Sequence, residues 1–301
     1  METEFSSQEK DKISKGIRKK YKQVAKKPDG LFKYPAGKAG LEALQYDSEI
    51  IKALPETVIA SYCGVGNPFT LGAVNEGESV LDIGCGSGVD TIFAAKMTGS
   101  TGKVVGIDLM PEMLQRAKEN LTLANLDNVT YEETSADKLS FPDDNFDVVI
   151  SNGVFNLVPD KARALSEVFR VLTPGGRLMI ADQILIGELT KDRRQIIKSW
   201  FQWEGGAIPE MDFLAIFENT GFAEIELVNE TGFNSSPKTK GVLIRAKKPI
   251  KPTQWAAGFM SVVNQDLQQI GKYQFWKFLW YSFDICKIAQ IVLFSETVEK
   301  S

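Results

Sequence analysis

The strongest indication of the fold is Val80-Leu81-Asp82-Ile83-Gly84-Cys85-Gly86-Ser87-Gly88. It begins as a short apolar segment that carries one acidic residue, and it continues with three glycines at alternate positions. Glycine adopts backbone angles that other residues rarely adopt, and it lets the chain approach a ligand closely. A helical pattern follows at 90–97. The stretch therefore predicts a strand, a sharp turn and a helix at the start of an α/β sheet.

A second acidic residue supports a ligand site at this turn. Asp108 ends the next predicted strand, 103–108, and lies twenty residues after Gly88. A carboxylate in that place can accept hydrogen bonds from both hydroxyl groups of a ribose. The glycine turn and the acidic residue together indicate a ligand that contains an adenosyl group.

The details of the turn favour one adenosyl ligand over another. Dinucleotide sites use Gly-x-Gly-x-x-Gly/Ala, but the position after the two variable residues here is Val89. The carboxylate of Asp82 would repel a pyrophosphate, whereas it would attract the ammonium of a methionyl group. The sequence therefore favours S-adenosylmethionine, which has an ammonium and a sulfonium and no phosphate. A dinucleotide-dependent dehydrogenase and a purely structural glycine turn are the alternatives.

Strands and helices alternate from Ser79 to Ile184, an order typical of a parallel sheet covered by helices. The pattern predicts strands at 80–83, 103–108, 129–133, 146–151 and 177–182, with helices at 90–97, 111–124 and 161–172. Two further helical stretches follow at 190–203 and 210–219. Two more strands, 225–230 and 241–246, are expected to complete the sheet as an antiparallel pair.

The flanking segments suggest a cap and an extension. Residues 1–28 are predicted to form a charged helix with Ile13, Ile17, Tyr21 and Val24 on one face, and a short helix is expected at 48–54. The expected organisation is an N-terminal helical cap with a substrate-side segment (1–75), an S-adenosylmethionine-binding domain (76–249) and an aromatic-rich helical C-terminal extension (250–301).

The core of the C-terminal extension, 273–294, is apolar and aromatic. Lys277, Asp284 and Lys287 interrupt it, so the sequence does not favour a membrane-spanning helix. Two interpretations remain open: a helical pair packed on the main domain, or a peripheral contact with a membrane or with a second copy of the chain.

Composition excludes several kinds of chemistry. The 301 residues have a net charge of −4, which does not favour nucleic-acid binding. The absence of histidine excludes histidine-based triads and most catalytic zinc sites. Cys63, Cys85 and Cys286 are too few and too scattered for a disulfide framework, and no metal site is predicted. The polar N-terminus has no apolar run typical of a secretory signal, so a reducing cytoplasm is the expected location.

Four groups of residues resemble, in order and spacing, the motifs of class I methyltransferases. They are 80–88, 105–108, 139–142 with 146–149, and 172–177, and they cover about a third of the chain. The resemblance implies a Rossmann-like, seven-stranded sheet with S-adenosylmethionine at the C-terminal edges of its first strands. In that superfamily an acidic residue usually precedes Ala136 and contacts the adenine amino group, but this chain has Ser135. The cofactor contacts that the resemblance implies are Asp82, Gly84, Cys85, Gly86, Gly88, Asp108, Leu109, Met110, Ser135, Ala136 and Asn152.

A more specific resemblance extends over 46–249, to the arsenite methyltransferase family. It rests on Leu54-Pro55-Glu56, Gly66-Asn67-Pro68, Met110-Pro111-Glu112-Met113-Leu114, Ser151-Asn152-Gly153-Val154-Phe155-Asn156-Leu157 and Gly206-Ala207-Ile208-Pro209-Glu210. That family methylates trivalent arsenic held by three cysteine thiolates. The family's cysteine positions are occupied here by Val65, Gly153 and Trp203.

The missing cysteines change the expected substrate. Soft thiolates suit a soft arsenic centre, and a lone Cys63, two residues from the first family position, cannot supply three. The sequence therefore predicts a methyltransferase for a different small molecule. Arsenite supplied as a thiol complex is the alternative, and a non-catalytic binding protein of the same fold is a further one.

Methyl transfer from a sulfonium is an in-line displacement that a protein catalyses by positioning the reactants and excluding water. The lack of histidine is therefore no obstacle. The predicted substrate-positioning residues are Asn152, Asn156 and Trp203, and further candidates for the pocket are Tyr34, Cys63, Trp200 and Glu204. Plain packing is an equal alternative for the two tryptophans.

Overall fold

The computed structural model of the chain describes residues 5–26, 30–188, 192–200 and 204–250. Apart from Ile250, they belong to one compact unit, Met1–Pro249, and Ile250–Ser301 are assigned to a second unit. The predicted C-terminal extension, with Cys286, lies outside the described residues apart from Ile250. Among the helices that are described, none has the length and apolar character needed to cross a membrane.

The unit is built on one seven-stranded sheet with the order β3-β2-β1-β4-β5-β7-β6. Strands β1 to β5 are parallel to one another, and β7 runs antiparallel to both β5 and β6. This arrangement confirms the predicted class I methyltransferase sheet. The strands are β1 (Ser79–Ile83), β2 (Lys103–Asp108), β3 (Val129–Glu133), β4 (Phe146–Asn152), β5 (Leu172–Leu185), β6 (Ala223–Glu230) and β7 (Thr239–Lys247).

The fifth strand is longer than predicted because it contains an irregularity. Phe146 pairs with Leu172 and Val148 pairs with Arg177, so 173–176 form a bulge within the pairing. Gly175 has a φ of 85° there, and its N–H donates to the carbonyl of Lys248. The Thr-Pro-Gly-Gly sequence resembles a turn that precedes a strand, so the predicted start at 177 was wrong.

Nine helices occur in the described residues, and seven of them match predicted helical stretches, whereas the short helices at 37–43 and 56–59 were not predicted. The N-terminal helix is shorter than expected, since it begins after the capping box formed by Ser6 and Glu9. Two short 3₁₀ turns, Pro68–Leu71 and Phe155–Leu157, complete the unit. The helices are α1 (Ser7–Val24), α2 (Gly37–Ala43), α3 (Ser48–Ala53), α4 (Glu56–Ile59), α5 (Val89–Thr98), α6 (Pro111–Ala124), α7 (Lys161–Val171), α8 (Arg193–Trp200) and α9 (Glu210–Thr220).

The sheet has an apolar core on each face because successive strand residues point to opposite sides. On one face, Val80 and Val148 pack with α5 and the N-terminal cap. On the other face, Leu81 and Val149 pack with α7 and α9. The cap therefore shares a continuous core with the sheet, which fixes it above the first strands.

Phe93 tests how strongly the cap and the sheet depend on this shared core. Its ring is fully buried and lies 5.0 Å, centroid to centroid, from Tyr46 of the cap. We expect Phe93→Ala to lower the free energy of unfolding by about 3–5 kcal/mol, because it leaves a cavity. Leu123→Ala is the control, since Leu123 is 51% exposed and its loss should change stability by less than about 0.5 kcal/mol. Urea titrations followed by circular dichroism measure both, and equal effects of the two variants would contradict this account of the core.

Candidate active site

A cavity of about 370 Å³ lies at the C-terminal edges of β1, β2 and β4. This edge is where parallel α/β sheets bind their ligands. The structure brings nearly all the predicted cofactor residues to this cavity: Asp82, Gly84, Cys85, Gly86, Asp108, Leu109, Met110, Ser135, Ala136 and Asn152 line it. The exception is Gly88.

The glycine turn has the backbone geometry that the sequence predicted. Gly84, Gly86 and Gly88 have φ values of 68°, 54° and 80°, all in the left-handed region that favours glycine. A Cβ on Gly84 would collide with Val154, and one on Gly88 would collide with the hydroxyl of Tyr131. Gly84 and Gly88 are therefore required by close packing, against Val154 and β3 respectively, and Gly84 and Gly86 line the cavity.

Asp108 is held at the end of β2 by backbone donors. Its Oδ2 accepts from the N–H of Gly86 at 2.9 Å, and its Oδ1 accepts from the N–H of Met110 at 2.8 Å. Burial raises the pKa of Asp108 to about 6, although these backbone hydrogen bonds oppose the shift. The carboxylate is ionised at neutral pH and lines the cavity, as a ribose-binding residue requires.

Two buried acids, Asp82 and Asp90, also line the cavity. Oδ2 of Asp82 accepts from the hydroxyl of Thr91 at 2.6 Å, and burial, together with the charge of Asp90, raises the pKa of Asp82 well above its usual value. Burial also raises the pKa of Asp90 to about 6. Among the described residues that line the cavity, Arg18 is the only basic one, and it is exposed. The site therefore suits a cationic ligand.

Asn152 ties the cap to the sheet. Its Oδ1 accepts from the N–H of Val65 at 2.8 Å, and its Nδ2 donates to the carbonyl of Gly66 and to Oδ2 of Asp90, each at 2.8 Å. Tyr46 donates to the other oxygen of Asp90 at 2.7 Å. Both ends of the Asn152 carboxamide are thus bonded to the protein. These bonds hold the loop at 64–66 in place.

Two acidic residues of the site, Asp90 and Asp137, were not predicted from the sequence. Asp90 follows the glycine turn by two positions, so an acid in the first turn of α5 was the available signal. Asp137 also lines the cavity, and its carboxylate accepts a hydrogen bond from the hydroxyl of Ser135. An acidic side chain therefore lines the cavity two residues after position 135.

Helix α1 forms the roof of the cavity. Ile13, Ser14, Ile17, Arg18 and Tyr21 line it from this side. The apolar face of the helix was visible in the sequence, but nothing there indicated which surface it covers. The helix shields the cavity from water, a condition that favours methyl transfer.

One side of the cavity, which we call the acceptor side, is mainly apolar. Val65, Gly153, Val154 and Leu157 line it. The Val65 and Gly153 positions are neighbours, since a Cβ on Gly153 would lie 3.5 Å from a methyl carbon of Val65. Two of the three cysteine positions of the arsenite methyltransferase family thus converge, but they present no sulfur.

The two cysteines that line this cavity, Cys63 and Cys85, do not form a thiolate site. Burial, followed by the charges of Asp90 and Asp108, raises the pKa of Cys63 to about 12, so its thiol stays protonated at neutral pH. Burial raises the pKa of Cys85 as well. Within the described parts of the chain, no group of three or more acidic or cysteine side chains is placed to hold a metal ion.

Other predicted substrate residues lie elsewhere. Asn156 is buried and does not line the cavity, because its 3₁₀ turn is anchored by hydrogen bonds from the N–H groups of Phe155 and Asn156 to Asp182. The indole N–H of Trp200 donates to the carbonyl of Leu157 at 2.9 Å, so this tryptophan packs against the back of the turn. Trp203 lies outside the described residues. Tyr34 and Cys63 line the cavity as expected, whereas Glu204 does not.

Comparisons with known proteins agree with this geometry. Residues 74–225 match the model of a methyltransferase domain family. The arsenite methyltransferase of Halobacterium salinarum is 34% identical over 189 residues, which are 63% of this chain and 48% of that protein. The ubiquinone/menaquinone biosynthesis C-methyltransferase of Salmonella arizonae is 41% identical over 111 residues, which are 36% of this chain and 44% of that protein.

A solved structure shares the fold of the chain. The crystal structure of an arsenic(III) S-adenosylmethionine methyltransferase from Chlamydomonas reinhardtii matches with a TM-score of 0.54 and 29% identity, over 73% of this chain and 76% of that one. The chain spans about half the length of the two curated relatives named above. The matched segment, 74–225, contains the glycine turn and most of the sheet, and the chain belongs to the methyltransferase domain family, with the class I fold.

Proposed function

We propose that this chain transfers a methyl group from S-adenosylmethionine to a small, largely apolar molecule. The observation that carries the proposal is the cluster of three acids around a glycine turn, buried Asp82 and Asp90 with half-buried Asp108, in a cavity whose described lining has a single, exposed basic residue. Such a site repels a pyrophosphate and attracts a ligand with an ammonium and a sulfonium.

The residues present fit S-adenosylmethionine from end to end. Asp108 is placed to accept from ribose hydroxyls, and the open backbone at Gly84 and Gly86 admits the ligand. A bound ammonium or sulfonium would hold Asp82 and Asp90 in their charged forms at the methionyl end, since burial alone raises the pKa of both carboxyls. Buried Met110 and Ala136, with Ser135 and Asp137, form the wall where the adenine is expected.

The chemistry follows from these contacts. When bound, S-adenosylmethionine supplies an activated methyl group. The protein positions the two reactants and excludes water from the cavity. Asn152 fixes the loop that carries Val65, so the acceptor side of the cavity keeps its shape. Roof residues such as Ile17 exclude water, and no histidine or metal is required.

Asp108→Ala tests the cofactor assignment. We expect the variant to bind S-adenosylmethionine at least about tenfold more weakly, because two charge-assisted hydrogen bonds to the ribose are lost. Glu133→Ala is the matched control, since Glu133 ends the neighbouring strand in register with Asp108 but is exposed and does not line the cavity. Isothermal titration measures both dissociation constants. An unchanged dissociation constant for Asp108→Ala would contradict a ribose-binding role for Asp108.

Arsenite is the second candidate substrate, because relatives named for arsenic methylation match most of the chain. The residues argue against it, since Val65 and Gly153 offer no sulfur and the Cys63 thiol remains protonated. We expect purified protein to show no saturable arsenite binding, and methylation of arsenite near background even with excess glutathione. Cys63→Ser should change little. Robust methylation by the unmodified chain, abolished by Cys63→Ser, would make arsenite the primary substrate.

Further parts of the proposal concern surroundings and partners. We propose a cytoplasmic location, no nucleic-acid partner, and a C-terminal extension that contacts either a membrane surface or a second copy through aromatic residues such as Trp276 and Trp280. Sedimentation velocity distinguishes a dimer from a monomer, and partitioning onto uncharged vesicles reports an apolar membrane contact. A non-catalytic role would be indicated by tight cofactor binding without turnover on any metabolite extract.

A further inference from the structure

Helix α1 carries a line of lysines on the side away from the cavity. Lys12, Lys15, Lys19 and Lys22 follow one another at spacings of three, four and three residues, which places them on one face of α1, and Lys26 lies in the turn that follows the helix. The apolar residues that face the body, such as Ile13 and Val24, occupy the opposite side. We call the exposed residues Lys12, Lys15, Lys19, Lys22 and Lys26 the lysine stripe.

The stripe stands out from the charge of the whole protein. Residues 7–26 contain eight basic and two acidic residues, whereas the complete chain has a net charge of −4. Lys15 pairs with Asp11, and Lys22 pairs with Glu112. Lys12, Lys19 and Lys26 form no ion pair with any residue that the structure describes. Such a concentration of charge attracts an anionic surface.

The opposite face of the same helix covers the apolar cavity. Ile13 is fully buried, and Ile17 and Tyr21 line the cavity from above. The helix therefore lies between a basic surface and the chamber proposed for the acceptor. A surface that binds the stripe would be separated from that chamber by the width of this one helix.

We propose that the lysine stripe docks the protein on an anionic lipid bilayer, which is a source of apolar acceptors. The apolar face of α1 is already used inside the protein, so the docking is electrostatic and does not insert the helix. Each basic residue at an anionic bilayer strengthens binding about fivefold, and the effect is screened by salt. A nucleic acid fits less well, since a single row of lysines on an acidic protein forms no groove for a backbone. The link to an acceptor rests on the proposed function, but the docking does not.

Sedimentation with lipid vesicles tests the docking on the full chain. We expect binding to vesicles of phosphatidylcholine with phosphatidylglycerol, release by added salt, and no binding to phosphatidylcholine alone. The triple variant Lys12→Glu, Lys19→Glu and Lys26→Glu should lower the partition coefficient by about tenfold or more. The control has the same change in net charge at exposed lysines outside α1: Lys103→Glu, Lys138→Glu and Lys238→Glu. Circular dichroism establishes that both variants are folded.

Four other outcomes would overturn the docking proposal. Absence of binding by the unmodified chain, or equal losses in the two triple variants, would show that the stripe has no docking role. Equal binding to uncharged vesicles would indicate an apolar contact elsewhere in the chain. Stripe-dependent binding to duplex DNA without vesicle binding would assign the surface to a nucleic acid. The measurement needs no cofactor, so a chain that docks but does not bind S-adenosylmethionine would refute the proposed function and leave the docking intact.

Discussion

The hydrogen-bonded group centred on Asn152 is the constraint on which the site depends. One carboxamide joins the end of β4 to the loop of the N-terminal cap through Val65 and Gly66, and to the cofactor turn through Asp90. Tyr46 closes the same group from the cap. Tyr46 and Asp90 are buried, so removing the carboxamide would leave buried polar groups with fewer partners. These hydrogen bonds therefore fix this part of the cavity wall, which we call the Asn152 wall, although the chain segments that build it are far apart in sequence.

The protonation of the acids in the cavity depends on the same hydrogen bonds. Asp90 is held by neutral donors rather than by a cation, and the nearby Asp82 is bonded to a hydroxyl. Burial without a positive partner raises the pKa of both carboxyls. A cationic ligand would stabilise their charged forms, which explains why a pocket this acidic can serve a cofactor with an ammonium and a sulfonium.

Local sequence rules predicted the fold and the cofactor side of the site well. The strand, glycine turn and helix around Gly84, and the acid at the end of β2, are encoded within short stretches whose physical requirements are specific. The Pro-Gly bulge in β5 escaped prediction because the same residues usually mark a turn outside a strand.

The acceptor side depends on contacts between distant segments, which a sequence pattern does not show. Asn156 was expected in the pocket, but the anchoring of its turn by Asp182 keeps it away. The roof formed by Ile17 and Tyr21 depends on where α1 packs, and periodicity shows only that one face must be buried. The identity of the acceptor therefore rests on the shape and polarity of the assembled cavity.

The most direct test of the account is a calorimetric titration of the unmodified chain with S-adenosylmethionine and, separately, with NAD. The account predicts saturable one-to-one binding of S-adenosylmethionine and no detectable heat of binding with NAD, because the acids around the glycine turn attract a cationic methionyl group and repel a pyrophosphate. Saturable binding of NAD, with none of S-adenosylmethionine, would contradict the assignment of this cavity as a methyl-donor site.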